Sequence, residues 1–205
     1  MSFSRVRGVI ERGPMDSILE HAVFPELAER LNALYSEEED ALLLAMLGQE
    51  YTIRRTGITL RGQKAPELHE AVLLDYLACR GRVLVETPWR GLGDFSEGGS
   101  SADFRKRVEL PLAQHIGDLA TRTGTVLPLI DGWPAPSIIG RDLAFTVRAM
   151  PKVHLHVELS QENQDFTSEA WVLFSNNANE YLSTGGLRIL GELFRDRLLS
   201  VLRIY

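Results

Sequence analysis

The chain of 205 residues holds one cysteine, Cys79. A single thiol excludes an intramolecular disulfide, and it excludes an iron–sulfur cluster or cysteine-rich metal site bound by this chain alone. Long apolar runs are missing too, since no stretch approaches the roughly 20 residues that a helix needs to span a bilayer. No apolar leader core follows Met1, so a cytoplasmic protein is expected. Basic residues are outnumbered, 22 Lys and Arg against 28 Asp and Glu, for a formal net charge of −6. A general nucleic-acid binder needs a basic face, and this balance argues against one. Gly91-Leu92-Gly93 and Gly98-Gly99 lack both the dinucleotide spacing and the lysine of a P-loop. They read as a flexible loop, and no Ser–His–acid set can be assembled from spacing.

What is present is an ordinary globular composition, 44% hydrophobic, enough for one core at this length. Residues 1–14, with Arg5, Arg7 and Arg12, read as a flexible or partner-bound arm, and 15–205 as a single domain. Asp16 or Ser17 then caps a short helix. Pro25 suits the first turn of a second helix, with Leu27, Leu31 and Leu34 on one face. The acidic run Ser36–Asp40 reads as a solvated loop. Alternation over 41–60, broken at Gly48-Gln49 and Thr56-Gly57, predicts a three-stranded antiparallel meander. A helix follows from Pro66 to Cys79, with the thiol buried near its end and Gly81 as its terminating glycine. Val83–Val85 reads as a short strand and 87–99 as a long glycine-rich loop. Ser100 or Ser101 opens a helix bent at Pro111. Thr123–Arg141, with Trp133, Pro128, Pro134 and Pro136, reads as a connection.

The C-terminal third carries the clearest pattern. Strands are predicted over 143–148 and 152–159. Trp171-Val172-Leu173-Phe174 is apolar on both faces, which places it at the centre of a covered sheet. Ser175–Asn179 is a turn, because asparagine bonds its own backbone there. Ser183 or Thr184 caps a helix whose Leu187, Leu190, Phe194, Leu198 and Val201 form one stripe of about five turns. The fold expected is a single α+β domain, a mostly antiparallel sheet flanked by helices, ending in a strand–turn–long helix unit.

Four landmarks, in order, resemble one family. They are Gly48-Gln49-Glu50-Tyr51 in the meander, Leu73 to Leu77 with Asp75 and Tyr76, Phe104 and Arg107 before Pro111-Leu112 and Ile116-Gly117, and Leu173-Phe174 before Tyr181-Leu182 and the last helix. The chain is identified on these as similar to domain of unknown function family 3786. The resemblance implies a setting in anaerobic bacteria and archaea, where some members carry a separate iron–sulfur domain. It carries no activity. Ser175-Asn176 and Gly185-Gly186 stand where the family pattern has acidic residues.

His154-Leu155-His156 is the sharpest candidate for chemistry. Two histidines at i and i+2 on one strand face stand about 6.8 Å apart and can share a metal. Lys152, His154, His156 and Glu158 otherwise read as the solvent side of an amphipathic strand. Trp89, Arg90 and Phe95 in the loop, with Asn176 and Asn177 in the turn, are candidates for contact with a ligand or partner. The function these readings support is a non-catalytic binding or accessory protein for a redox or cofactor enzyme of an anaerobe, its partner a protein or a small molecule. The alternative is a metal-dependent enzyme using His154 and His156. The sequence names no cofactor.

Overall fold

The alternation over 41–60 produces a meander, and its neighbours extend it. The computed structural model describes residues 15–81, 83–95, 101–162 and 167–204, with backbone alone at 15–17. Within them the first sheet has five antiparallel strands in sequence order: β1 (Leu34–Ser36), β2 (Ala41–Met46), β3 (Gln49–Arg54), β4 (Gly57–Leu60) and β5 (Gln63–Lys64). Sequence analysis predicts three; β1 and β5 are too short to show alternation and form only by pairing with a longer neighbour. Leu47 and Gly48 close the β2–β3 hairpin at φ 53° and 70°. A two-residue turn with positive φ at both positions matches the twist of the strands it joins. Gly48 has a second reason to be glycine, for a Cβ there would lie 2.5 Å from the Leu129 carbonyl oxygen. The Leu47 amide donates to Ala149 O at 2.9 Å and ties this hairpin to the second sheet. Glu37–Asp40 forms the exposed turn between β1 and β2, as expected, and Arg54 and Arg55 pair with Glu39 and Asp40.

Helices α1 (Met15–His21) and α2 (Phe24–Leu31) precede this sheet. Asp16 and Ser17 fall inside α1 rather than capping it. Arg55 bonds the carbonyls of Leu19, Glu20 and Ala22, so a side chain from the β3–β4 turn satisfies the C-terminal end of α1. Helix α3 (Glu67–Leu77) begins after Pro66 as predicted. Gly81 is not a left-handed helix stop. It is glycine because the Tyr181 ring packs against it, 2.5 Å from where a Cβ would stand. Val83–Val85 is not a strand, and Ser100, the Gly98-Gly99 pair and residues 1–14 lie outside the described residues.

The helix bent at Pro111 is three pieces: α4 (Ser101–Phe104), one π-helical turn (Arg105–Glu109) and α5 (Leu110–Ala113). Proline has no amide hydrogen and leaves the carbonyl four residues earlier without its partner. That carbonyl is Arg107 O, and the Arg195 guanidinium from the last helix bonds it. Helix α6 (Ile116–Val126) runs into the stretch predicted as a connection, which also contains β6 (Gly132–Pro134).

The second sheet has strand order β6, β7 (Leu143–Met150), β8 (Val153–Ser160), β9 (Glu169–Phe174), all antiparallel. The Trp171 strand is therefore at an edge, not at the centre, and Trp171 is half-buried while Ala170, Val172 and Phe174 are buried. Both its faces are apolar because loops cover the outer one. Its open edge is also occupied. Arg90 exchanges both backbone hydrogen bonds with Phe174, at 2.9 and 2.8 Å. The Glu109 carboxylate accepts the Val172 amide at 3.0 Å. A carboxylate and a bridging residue on an edge strand blunt its tendency to pair with other chains.

Helix α7 (Thr184–Ile204) spans 21 residues and lies against α3 and α6. Ser183 caps it, its Oγ accepting the Gly186 amide at 3.0 Å. Asp75 of α3 holds Ser183 in place through its amide and hydroxyl, at 2.9 and 2.8 Å. Leu187, Leu190, Phe194, Leu198 and Val201 are all buried, in a core that both sheets and the helices share. An α+β domain ending in a strand, a turn and a long helix is what the chain forms. Among the described residues no helix is long and apolar enough to cross a membrane.

Candidate functional site: a histidine–glutamate face under two loops

Strand β8 carries two sets of side chains. Val153, Leu155, Val157 and Leu159 point into the core. His154, His156 and Glu158 point away from it, yet they are only 8%, 2% and 0% exposed. This corrects the solvated face expected from alternation. Periodicity reports that a face is polar, and only the fold decides what lies over it. Two connections do: residues 83–90 from the β9 side, and 133–141 from the β7 side.

Residues opposed across an antiparallel ladder share a face. His156 therefore lies between Thr146 and Leu173, Glu158 between Ala144 and Trp171, and His154 beside Arg148. Trp133 of β6 stands opposite Thr146. Trp89 stacks on His156, ring centroids 5.1 Å apart at 26°. Trp133 meets His154 edge-on at 5.8 Å. All three tryptophans of the chain are on this one face.

The polar atoms beneath are paired. His154 Nδ1 lies 2.5 Å from Glu86 Oε1. His156 uses both ring nitrogens, Nδ1 with Thr146 Oγ1 and Nε2 with Glu158 Oε1, each at 3.1 Å. Glu158 also accepts the Ser137 hydroxyl at 2.5 Å and the Ile138 amide at 2.6 Å. The Ser137 oxygen in turn accepts the Arg141 amide at 2.6 Å and closes the 137–141 loop. Desolvation pushes the Glu158 carboxyl upward, but the bonds from Ser137, Ile138 and His156 outweigh it and hold it below the usual carboxylate range. The chemistry follows from the order of contacts. Ser137 donates directly to a carboxylate, with no histidine between them to take its proton, so this is not the wiring of an activated nucleophile. Among the described residues no three His, Cys, Asp or Glu side chains come together as a metal-holding group.

The five residues singled out for contact with a partner come together as well, and they hold the 83–95 segment. Asn177 accepts the Val85 amide at 2.9 Å and donates to Val83 O at 2.8 Å. Asn176 donates from its side chain to Pro88 O at 2.9 Å and from its amide to Glu86 O at 3.0 Å. The Arg90 guanidinium lies 4.2 Å over the Phe95 ring, and Phe95 meets Phe174 edge-on at 6.2 Å. Gly91 gives its amide to the Asp94 carboxylate of the same loop. So the asparagine turn after β9 is a clamp that presses Glu86 and Trp89 onto the histidines. Cys79 is buried away from this face, and burial raises its thiol pKa, as suits a structural residue.

Sequence reasoning missed Glu86, Ser137, Thr146 and Arg141, and read Glu158 as part of the solvent side of the strand. One signal was available. Trp89 and Trp133 stand in two long irregular stretches that precede β8, and large aromatic side chains there need an apolar or aromatic surface to cover.

Fold and site together define an α+β domain in which two loops are pinned over a buried His–Glu face of one sheet. The chain belongs to the family described as Domain of unknown function (DUF3786), whose family model matches residues 23–197. Neither a curated protein nor a solved structure matches the chain.

Proposed function

We propose that the protein is a non-catalytic binding protein, an accessory factor for a redox or cofactor enzyme of an anaerobe, and that it meets its partner through the two loops held over the second sheet. One observation carries this reading. The polar groups of the buried face are engaged in bonds that anchor the loops, while the loops themselves present apolar side chains to solvent. Trp133 is 40% exposed, Ile138 51% and Ile139 48%, with Val85 at 43% on the opposing segment. Exposed apolar groups on a rigid platform favour recognition over chemistry. The redox setting rests on the family resemblance alone.

The test pairs Ile138→Ser/Ile139→Ser with the wild type. Exposed substitutions of this kind change stability by within about 0.5 kcal/mol. Cross-linking in source cells should give the wild type one partner at near-stoichiometric yield, and the double variant none. An unchanged yield, or turnover by the purified chain across a panel of hydrolase and transferase substrates, refutes the reading.

A further inference from the structure

Four buried side-chain polar atoms lack a hydrogen-bond partner among the described residues: Arg30 Nε, Arg141 Nε, Arg197 Nε and Tyr181 Oη. An unpaired buried donor is uncommon enough to need a reason. Arg30 and Arg197 are only partly unsatisfied, since each donates through Nη2, to Leu77 O and Leu129 O. Arg141 differs. Its amide is engaged with Ser137, but no oxygen among the described residues accepts from its guanidinium, whose contact is the Trp171 ring, 4.0 Å to the centroid.

That contact sets the geometry of what is left. Stacking on an aromatic ring uses one face of the guanidinium and leaves its in-plane N–H groups unbonded; Nε is buried, so the edge a ligand can reach is the one formed by Nη1 and Nη2. The loop bearing it is held from below by a fully buried anion, Glu158, through Ser137 and Ile138. The donor fork is thus fixed before any ligand arrives, which lowers the entropy that binding would cost. Ile138 and Ile139 stand exposed in the same loop.

We propose that Arg141 and Trp171 form a binding site for a carboxylate that carries an apolar group, with Ile138 and Ile139 as its apolar wall. A planar carboxylate matches the guanidinium fork in a bidentate pair. A single cation in a loop with two exposed isoleucines suits a monoanion, whereas a phosphate dianion would lose hydration against an apolar wall with only half its charge answered. This deepens the binding reading above and rests on it: the partner's contact point would be an acidic side chain or chain end flanked by apolar residues, or a small hydrophobic carboxylate.

The test is a titration of the full chain followed by tryptophan fluorescence, since Trp171 lies against the guanidinium. The probes are benzoate, its neutral isostere benzamide, inorganic phosphate, and a capped Leu-Asp-Leu peptide. Benzoate should saturate with Kd on the order of 1 mM, as befits so small a ligand. Benzamide and phosphate should bind at least about tenfold more weakly. A peptide tighter than benzoate assigns the site to a protein partner, and a weaker one to a small molecule. Arg141→Gln should raise the benzoate Kd about tenfold or more, and Arg141→Lys, which keeps the charge but loses the fork, several-fold. No hydrogen bond of the guanidinium is lost, only its stacking on Trp171, so both variants should stay folded, with a modestly lower urea midpoint in Arg141→Gln; if Arg141→Gln does not fold, Arg141→Lys decides. Equal affinity for benzamide, tighter phosphate, an unchanged Kd in the variants, or no saturation by benzoate overturns the site. Loss of partner association in Ile138→Ser/Ile139→Ser without benzoate binding refutes this inference alone; benzoate binding without isoleucine-dependent association refutes the docking reading alone.

Discussion

Removing the Glu158 carboxylate should be among the most damaging single changes in the second sheet. The group is fully buried and accepts from Ser137, Ile138 and His156. Glu158→Ala leaves those three donors without an acceptor, and each orphaned buried donor costs about 1–3 kcal/mol. Against this stands the desolvation of the carboxylate itself, which the variant no longer bears. The net expectation is a loss of about 4 kcal/mol. Glu158→Gln keeps one acceptor oxygen and fills the same volume, so it should lose about 2 kcal/mol. For a chain of this size 1 kcal/mol moves Tm by about 2–4 °C, which puts the alanine variant roughly 10 °C or more below wild type. Urea unfolding followed by tryptophan fluorescence measures it, with Trp89 as the local reporter because it stacks on His156. The folded-state pKa of Glu158 is depressed. Its contribution is therefore fully present above the unfolded value of about 4.3 and is lost as pH falls through the lower folded value. The wild type should lose stability more steeply than Glu158→Gln over that acid interval. A loss below about 1 kcal/mol in Glu158→Ala, or parallel acid limbs, would mean that the face is solvated after all.

Further outcomes follow from the same packing. Gly191→Ala should gain about 1 kcal/mol from helix propensity, yet its Cβ would collide with the Phe104 ring; overpacking wins, and a net loss of about 1–3 kcal/mol in thermal unfolding is expected. Asn177→Ala should cost about 2 kcal/mol and speed hydrogen exchange of the Val85 amide, which it accepts; unchanged exchange would refute the clamp. His154→Thr/His156→Thr should lose more than about 2 kcal/mol, because both rings are buried and bonded rather than solvated. In the same melting experiment, a rise in wild-type Tm with zinc or iron(II) that disappears in the double variant would assign the pair to a metal, by mass action on the native state.

Several elements were legible in the residues alone. Helix α7 was, because five buried positions recur at three- and four-residue spacing and a serine stands at its cap. The β2–β4 meander was, because alternation there is broken at Gly48-Gln49 and Thr56-Gly57, although the first turn itself falls one residue earlier, at Leu47-Gly48. Both are local patterns, each readable in a window of some ten to twenty residues. The family was legible as well, through landmarks spread over most of the chain. The order of the strands was not. Trp171 stands in a run apolar on both faces, and such a run is compatible with a central strand or with an edge strand whose outer face is covered by loops. The edge position follows from contacts made by Arg90 and Glu109, 81 and 62 residues earlier in the chain.

The candidate site divides in the same way. Composition and periodicity determined that β8 has one aliphatic and one polar face, that Trp89, Arg90, Phe95, Asn176 and Asn177 stand out from their surroundings, and that the one thiol cannot form an intramolecular disulfide. Only the tertiary structure decided that the polar face is buried, that Asn176 and Asn177 clamp the segment bearing Trp89, and that Ser137 reaches Glu158 from 21 residues away. The physical reason is range. Backbone propensity and side-chain alternation act over a few residues, whereas desolvation of His156 and Glu158 is imposed by loops whose path is set by distant hydrogen bonds. A polar residue on a strand is written in the sequence; the medium that surrounds it is a property of the whole fold.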